Sequence, residues 1–305
     1  MADSYFTIFM VLFGVAYSLL FVWLYHGGAF REQHLDKKRV LLSSRELRTT
    51  VIVFGLALLA RLLVAPLIAG HPIDYRDFVI WAGHAASDGI SHFYNGEMFT
   101  DYPPGYVYVL YGIGLLKNVF SLGMNSPAMM ILIKLPAILA DLLTGYFLYK
   151  LAQKKIHYYA ALGLGILYVF NPAVFVDSVI WAQVDAVYTL FVVLMIYYLT
   201  EKRPPIAALF FAIAFLIKPQ SLIFAPLLLF ALIKRRRLKT WALAVLYGLG
   251  AFIVLVTPFA IFKNPLWIID HYLDMFASYP YVSLNAFNLY ALLGENAQPV
   301  SETFL

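Results

Sequence analysis

Asp74 and Asp77 stand three residues apart in the run Asp74-Tyr-Arg-Asp-Phe-Val-Ile-Trp81, with His84 three residues further on. Side chains three and four apart meet on one helix face, so a helix here presents two carboxylates, an indole and an imidazole together. That set suits sugar chemistry, because a carboxylate within hydrogen-bond reach of a hydroxyl can take its proton. Asp74 is the first choice as general base and Asp77, one turn on, its rival. The plainer alternative is an amphipathic loop helix whose charges simply face water. Asp101-Tyr-Pro-Pro104 follows. It adds Asp101 and Tyr102 as sugar contacts, although aspartate shortly before proline also marks an ordinary helix start. Trp81 and Tyr102 are the candidate stacking rings.

Lys218, in Lys218-Pro219-Gln220, is the sole charge in the apolar stretch from Ile206 to Ile233. An ammonium at membrane depth is costly unless paired, which makes it a functional candidate. A lipid phosphate is a natural partner, and snorkelling to the headgroups is the competing account. Arg61 and Asp141 fall near the middle of apolar runs. An intramembrane ion pair holding two spans together is the simplest account of them. Asp177, Asp185, Asp270, His271 and Asp274 complete the ionisable groups expected on the same side as Asp74.

The elements that must position these residues are membrane helices. The chain is 62% hydrophobic and 13% charged, with several apolar runs near the ~20 residues that cross a hydrocarbon core. Aromatics at 17% suit the two interfaces. Sixteen of the twenty-two basic residues lie in four stretches, Arg31 to Arg48, Lys150 to Lys155, Lys202-Arg203 and Lys234 to Lys239. The positive-inside rule places all four in the cytoplasm, and membrane orientation explains the basic excess without nucleic acid. No cysteine is present, which removes disulfides and thiolate chemistry. No phosphate-binding glycine loop or His-Glu-x-x-His occurs either. Residues 5 to 25 lack a basic leader and read as a retained span rather than a signal peptide.

Spans are then expected at about 5–25, 50–69, 129–150, 158–176, 185–200 and 240–262. Residues 103 to 122 form a helix along or dipping into the outer leaflet, with Pro103-Pro104 at its start. Ile206 to Ile233 enters and leaves on one side as a re-entrant hairpin, because each arm of about 14 residues reaches only about 21 Å of a ~30 Å core. Its tip, Lys218 to Gln220, lies within the membrane's depth, where irregular backbone must be buried in protein or line a cavity.

The order of these elements resembles the GT-C superfamily of polytopic glycosyltransferases that use polyprenyl-phosphate sugars. The segments that carry the likeness are Asp74 to Trp81, Asp101-Tyr-Pro-Pro104-Gly-Tyr-Val-Tyr, Ile180-Trp-Ala-Gln-Val-Asp185-Ala-Val-Tyr, Lys218-Pro-Gln220 and Asn285-Ala-Phe-Asn288-Leu-Tyr-Ala-Leu-Leu-Gly294. They are similar to those of lipid-linked-oligosaccharide glucosyltransferases and of prokaryotic relatives of GPI mannosyltransferases, over roughly residues 55 to 294. The resemblance implies an all-α GT-C-like bundle, with an extra N-terminal span and basic loop over 1–49 and a C-terminally truncated catalytic domain over 50–305. It implies inverting transfer of a hexose, mannose or glucose, from a polyprenyl-phosphate donor to a glycan, lipid or protein acceptor.

On that reading Asp74 or Asp77 is the base, and Lys218 and Gln220 hold the donor phosphate. Trp81, Asp101, Tyr102, Gln183 and Asp185 bind substrate, and Arg61 with Asp141 is structural. No cofactor is required, though paired carboxylates leave Mg²⁺ or Mn²⁺ open. Compact loops and the absence of a retention tail point to a bacterial plasma membrane with the site outside. A flippase of lipid-linked sugar or a non-catalytic scaffold would use the same residues without making a bond.

Overall fold

Five helices begin on proline, at Pro72, Pro104, Pro127, Pro172 and Pro204. At a first helical position the missing N–H costs nothing and φ is already set. In the computed structural model, which describes residues 2–27, 43–96, 98–264, 266–284 and 288–302, these prolines divide an all-α chain. The order is α1 (Ala2–His26), α2 (Ser44–Val64), α3 (Pro72–Asp88), α4 (Pro104–Val119), α5 (Pro127–Ala152), α6 (Tyr158–Val169) and α7 (Pro172–Phe175). Then come α8 (Asp185–Thr200), α9 (Pro204–Ile217), α10 (Ala225–Arg235), α11 (Leu238–Ala260), α12 (Trp267–Ala277) and α13 (Leu289–Leu292). The described residues contain no strand, only a bridge between Tyr281 and Pro299. Most of the Arg31 to Arg48 stretch and Asn285 to Phe287 lie outside the described residues.

Among the described residues, three helical segments are long and apolar enough to cross a membrane, Ser44–Leu67, Pro127–Ala152 and Leu238–Ala260. The protein is a polytopic membrane protein. The expected single span over 158–176 is instead broken, with a bend of 48° between Tyr158–Val169 and Pro172–Trp181. The break has a local cause. Pro172 has no N–H to continue α6, and the Asn171 side chain caps the new start by accepting from Ala173 N at 2.9 Å. A π-helical turn, Val176–Trp181, follows and ends on left-handed Ala182. The hairpin has arms of 14 and 11 residues around a 3-10 turn, Pro219–Phe224. It is less symmetric than expected, and Lys218 sits at the break. Residues 103 to 122 contain α4, 16 residues long, which packs on α3.

The polar ends sort the bundle. Lys154, after α5, pairs with Glu201, after α8, and donates to Thr200 Oγ1 at 3.1 Å. Tyr158, opening α6, donates to Glu46 O in the first turn of α2 at 2.6 Å. The ends of α5 and α8 and the starts of α2 and α6 therefore share one end of the molecule.

The α3–α4 contact buries Phe78, Val79, Ala82 and Ala85 against Tyr106, Val107 and Leu110. It closes on Gly114, where a β-carbon would stand 1.8 Å from Ala82 O. The start of α4 meets the end of α9 in the same way, for a β-carbon on Gly105 would stand 2.6 Å from Leu216 O. Gly112, on the same helix, has nothing within 4 Å of its β-carbon position. Overpacking typically costs about 1–3 kcal/mol. Gly114→Ala is therefore expected to lower the melting temperature in detergent, whereas Gly112→Ala leaves it unchanged or higher. Equal melting temperatures for the two variants contradict the close packing of α3 on α4.

Candidate functional site

Deep in the bundle, Arg61 of α2 lies 3.6 Å from Asp141 of α5, with side chains 0% and 1% exposed. The guanidinium also donates to Val169 O, at the end of α6, and to Ala57 O at 3.4 Å. Asp141 accepts from Ser178 Oγ, in the π turn, at 2.6 Å. Lys134 of α5, which the sequence reading passed over, is fully buried. It donates to Ala65 O at 2.9 Å and to Ile68 O, just beyond α2. These charges tie the end of α2 and the π turn to α5. From those two ends the chain runs into the site, through His71 and Trp181, joined by His71 N donating to Trp181 O at 2.9 Å.

The site is a cavity of about 660 Å³, within the usual range for small-molecule sites. Asp74, Asp77 and Trp81 of α3, Asp101 and Tyr102 before α4, Gln183 before α8, and Lys218 and Gln220 of the hairpin tip all line it. Met275, Phe276 and Tyr279, from α12 and its exit, close the rim. Asp185 is not among the lining residues; it stands behind Lys218 as its ion-pair partner. His84 turns away from the expected face, with Nε2 3.2 Å from Phe93 O and Nδ1 3.3 Å from Asp88.

Asp74 is held by one oxygen. Its Oδ2 accepts from Trp181 Nε1 at 2.6 Å and from Gln183 Nε2 at 2.9 Å, and His71 Nδ1 approaches to 3.3 Å. The His71 ring stacks on Trp181, centroids 4.9 Å apart and planes 14° from parallel. Among the described residues nothing bonds Oδ1. Asp77 instead pairs with its neighbour Arg76 at 3.1 Å.

Gln183 Oε1 accepts from the Tyr102 hydroxyl at 3.2 Å, which fixes the amide so that its N–H faces Asp74. Burial, reinforced by the charges of Asp185, Asp101 and Asp74, pushes the Tyr102 hydroxyl well up, so it remains a donor. Lys218 Nζ stands 5.9 Å above the Tyr102 ring, a cation–π placement, and is bonded to Asp185. An unbroken polar path thus runs from Asp74 through Gln183, Tyr102 and Lys218 to Asp185. Trp81 packs with Phe78 and Tyr102 and spends its N–H on Phe99 O at 2.9 Å, leaving its ring as cavity wall.

The Tyr102 carbonyl is clamped from α12, where His271 Nε2 lies at 3.1 Å, and by the Tyr94 hydroxyl at 2.8 Å. Burial pushes the His271 imidazole down, which keeps it neutral, and the tautomer with the proton on Nε2 suits the carbonyl. Tyr279 donates to Asp101. Among the described residues, no three histidine or carboxylate groups lie close enough together to hold a metal ion between them.

A profile of the dolichyl-phosphate-mannose-protein mannosyltransferase family matches residues 107–262, just over half of the 305-residue chain. The chain belongs to that family. It is a membrane glycosyltransferase of the mannosyltransferase type. No curated protein matches the chain. The matched stretch of this mannosyltransferase carries Gln183, Asp185, Lys218 and Gln220, whereas Asp74, Asp77, Trp81, Asp101 and Tyr102 precede it.

Sequence reasoning missed His71, Trp181 and Tyr279. His71 carries a usable signal, since it precedes Pro72 and stands three residues before Asp74. Trp181 stands two residues before Gln183 in a motif already singled out. Tyr279 meets Asp101 across 178 residues, and no local pattern announces that pairing.

Burial, with the charges of Asp74 and Asp77 adding, raises the Asp101 carboxyl above its ordinary 3.8, against the opposing Tyr279 hydrogen bond. A raised folded-state value means that Asp101's contribution to stability is fully present below the unfolded value. It is lost as pH rises through the folded one. Asp101→Asn, which keeps an acceptor for Tyr279, is expected to melt higher than wild type at pH 7, with the gap shrinking toward pH 4. A gap that does not change with pH in thermal melts contradicts this.

Proposed function

We propose that this mannosyltransferase moves a hexose, with mannose favoured by the family, from a polyprenyl-phosphate donor to an acceptor hydroxyl, with inversion at the anomeric carbon. The observation that carries the reading is that Asp74 and Lys218, 144 residues apart in sequence, line one cavity and are joined through Gln183 and Tyr102. Asp74 Oδ1, which has no bonding partner among the described residues, takes the acceptor's proton as the acceptor oxygen bonds the anomeric carbon. The bond from that carbon to the phosphate oxygen breaks, and its electron pair leaves with the lipid phosphate. Lys218 stabilises the charge that builds there, since a fixed cation acts most strongly where water is scarce. Gln220 supports the phosphate, and Trp81 with Tyr102 supplies flat surface for the sugar. Asp74 is preferred to Asp77 because three neighbours orient it, whereas Asp77 is already paired with an exposed arginine.

Sidedness follows from the charges. The Lys154 and Glu201 end of the bundle carries Arg45, Arg48, Lys150, Lys155, Lys202 and Arg203 and the cavity lies at the other, which under the positive-inside rule faces away from the cytoplasm. A bacterial plasma membrane with an external site fits this arrangement.

With purified protein and radiolabelled polyprenyl-phosphate mannose, Asp74→Asn is expected to lose transfer by about 10²–10⁴-fold while still binding donor. Lys218→Gln should lose on the order of 10²–10³-fold. Donor that wild type binds but never consumes in detergent would point to a carrier of lipid-linked sugar. Near-normal turnover by Asp74→Asn with loss in Asp77→Asn would move the base to Asp77.

A further inference from the structure

Lys218 is 17% exposed and Asp185 40% exposed, and the ammonium is bonded to that carboxylate. Lys218 lines the cavity while Asp185 does not. Lys218 has the Tyr102 ring 5.9 Å away, and it lies within electrostatic range of a second carboxylate, Asp177 of the π turn, which also feels Asp185. Asp185 is thus the carboxylate that holds the ammonium, and Asp101 adds negative charge around Tyr102.

We infer that Asp185 is a displaceable counter-ion that competes with the donor phosphate for Lys218, and so sets donor affinity and hastens release of the phosphate product. The inference rests on the reading of Lys218 as the phosphate-binding residue. A phosphate arriving at the ammonium must draw it away from Asp185. Asp185 is then left without its cation, and an ion whose partner is taken away in a partly dry site is destabilised. That cost is relieved when Asp185 recovers Lys218, which expels the lipid phosphate left after sugar transfer. Asp185 thus acts through Lys218 as a positioning residue.

The two accounts of Asp185 differ in sign. An anchor that merely holds Lys218 in place predicts weaker phosphate binding when it is removed, and a competitor predicts tighter binding. The test measures Kd for a short-chain polyprenyl phosphate, the released product, on full-length protein in detergent, with steady-state transfer alongside. Asp185→Asn is expected to bind it at least about fivefold more tightly, with KM for the donor and kcat both falling and product inhibition deepening. Asp185→Glu, which keeps the competing charge, should stay within about threefold of wild type. In a Lys218→Gln background, Asp185→Asn should add no tightening, because coupled residues are not additive.

Unchanged or weaker binding by Asp185→Asn overturns the inference. Asp185→Ser is prepared in parallel. Failure of both variants to fold also overturns it, since a counter-ion required for folding is not displaceable. If wild type neither binds the lipid phosphate nor transfers sugar, the phosphate role of Lys218 fails first. If wild type transfers and Lys218→Gln does not, but Asp185→Asn weakens binding, only the competitor role fails.

Discussion

An ionised side chain inside an apolar bundle must find its partner within the protein, because hydrocarbon offers none. This constraint organises the molecule around three buried residues. Arg61 and Asp141 neutralise each other, and Ser178 and Val169 take up further hydrogen-bonding capacity. Lys134 discharges into the carbonyls beyond α2, where the negative end of a helix dipole favours a cation. The partners come from separate segments, α2 and the residues just beyond it, α5, the end of α6 and the π turn, so satisfying the charges also fixes where α2 ends and where the π turn begins. Breaking a buried pair by removing one member typically costs about 3–5 kcal/mol, which makes these positions poor places for drift.

From those fixed points the path to the cavity is short. The backbone bond from His71 to Trp181 joins the two segments, and Asp74 follows His71 by less than one helical turn. The carboxylate then meets an indole N–H and an amide N–H that were positioned for it by the bundle beneath. A partly exposed residue near the rim thereby inherits the rigidity of the interior, which is how a membrane enzyme can keep a reactive group accessible and still aimed.

Much of this was legible because membrane physics leaves few options. Hydropathy gave the three long apolar helices, and the short arms around Lys218 gave the hairpin. The helical spacing of Asp74, Asp77 and Trp81 gave a shared face, although His84 departs from it toward Phe93 O. The span expected over 158–176 is bent at Asn171-Pro172, and the bend itself was not legible because hydropathy averages over a side-chain cap and a missing N–H. Lys134 was overlooked for a related reason. A lone lysine in an apolar run gives no hint that two helix-end carbonyls will meet it. Contacts such as Tyr279 with Asp101 depend on the path of a distant segment, which no local pattern records.

The glycine at the start of α4 has a mechanical consequence. With only a hydrogen between Gly105 and the Leu216 carbonyl, the loop bearing Asp101 and Tyr102 is welded to the helix that ends at Lys218. That side of the chamber behaves as a single casting. The facing side is joined to it through side chains, Tyr279 on Asp101, His271 on the Tyr102 carbonyl and the Tyr272 ring on Phe215, contacts that can let go and re-form. A bulky cargo therefore has one yielding wall to push against, the wall built by α12 and the segment after it.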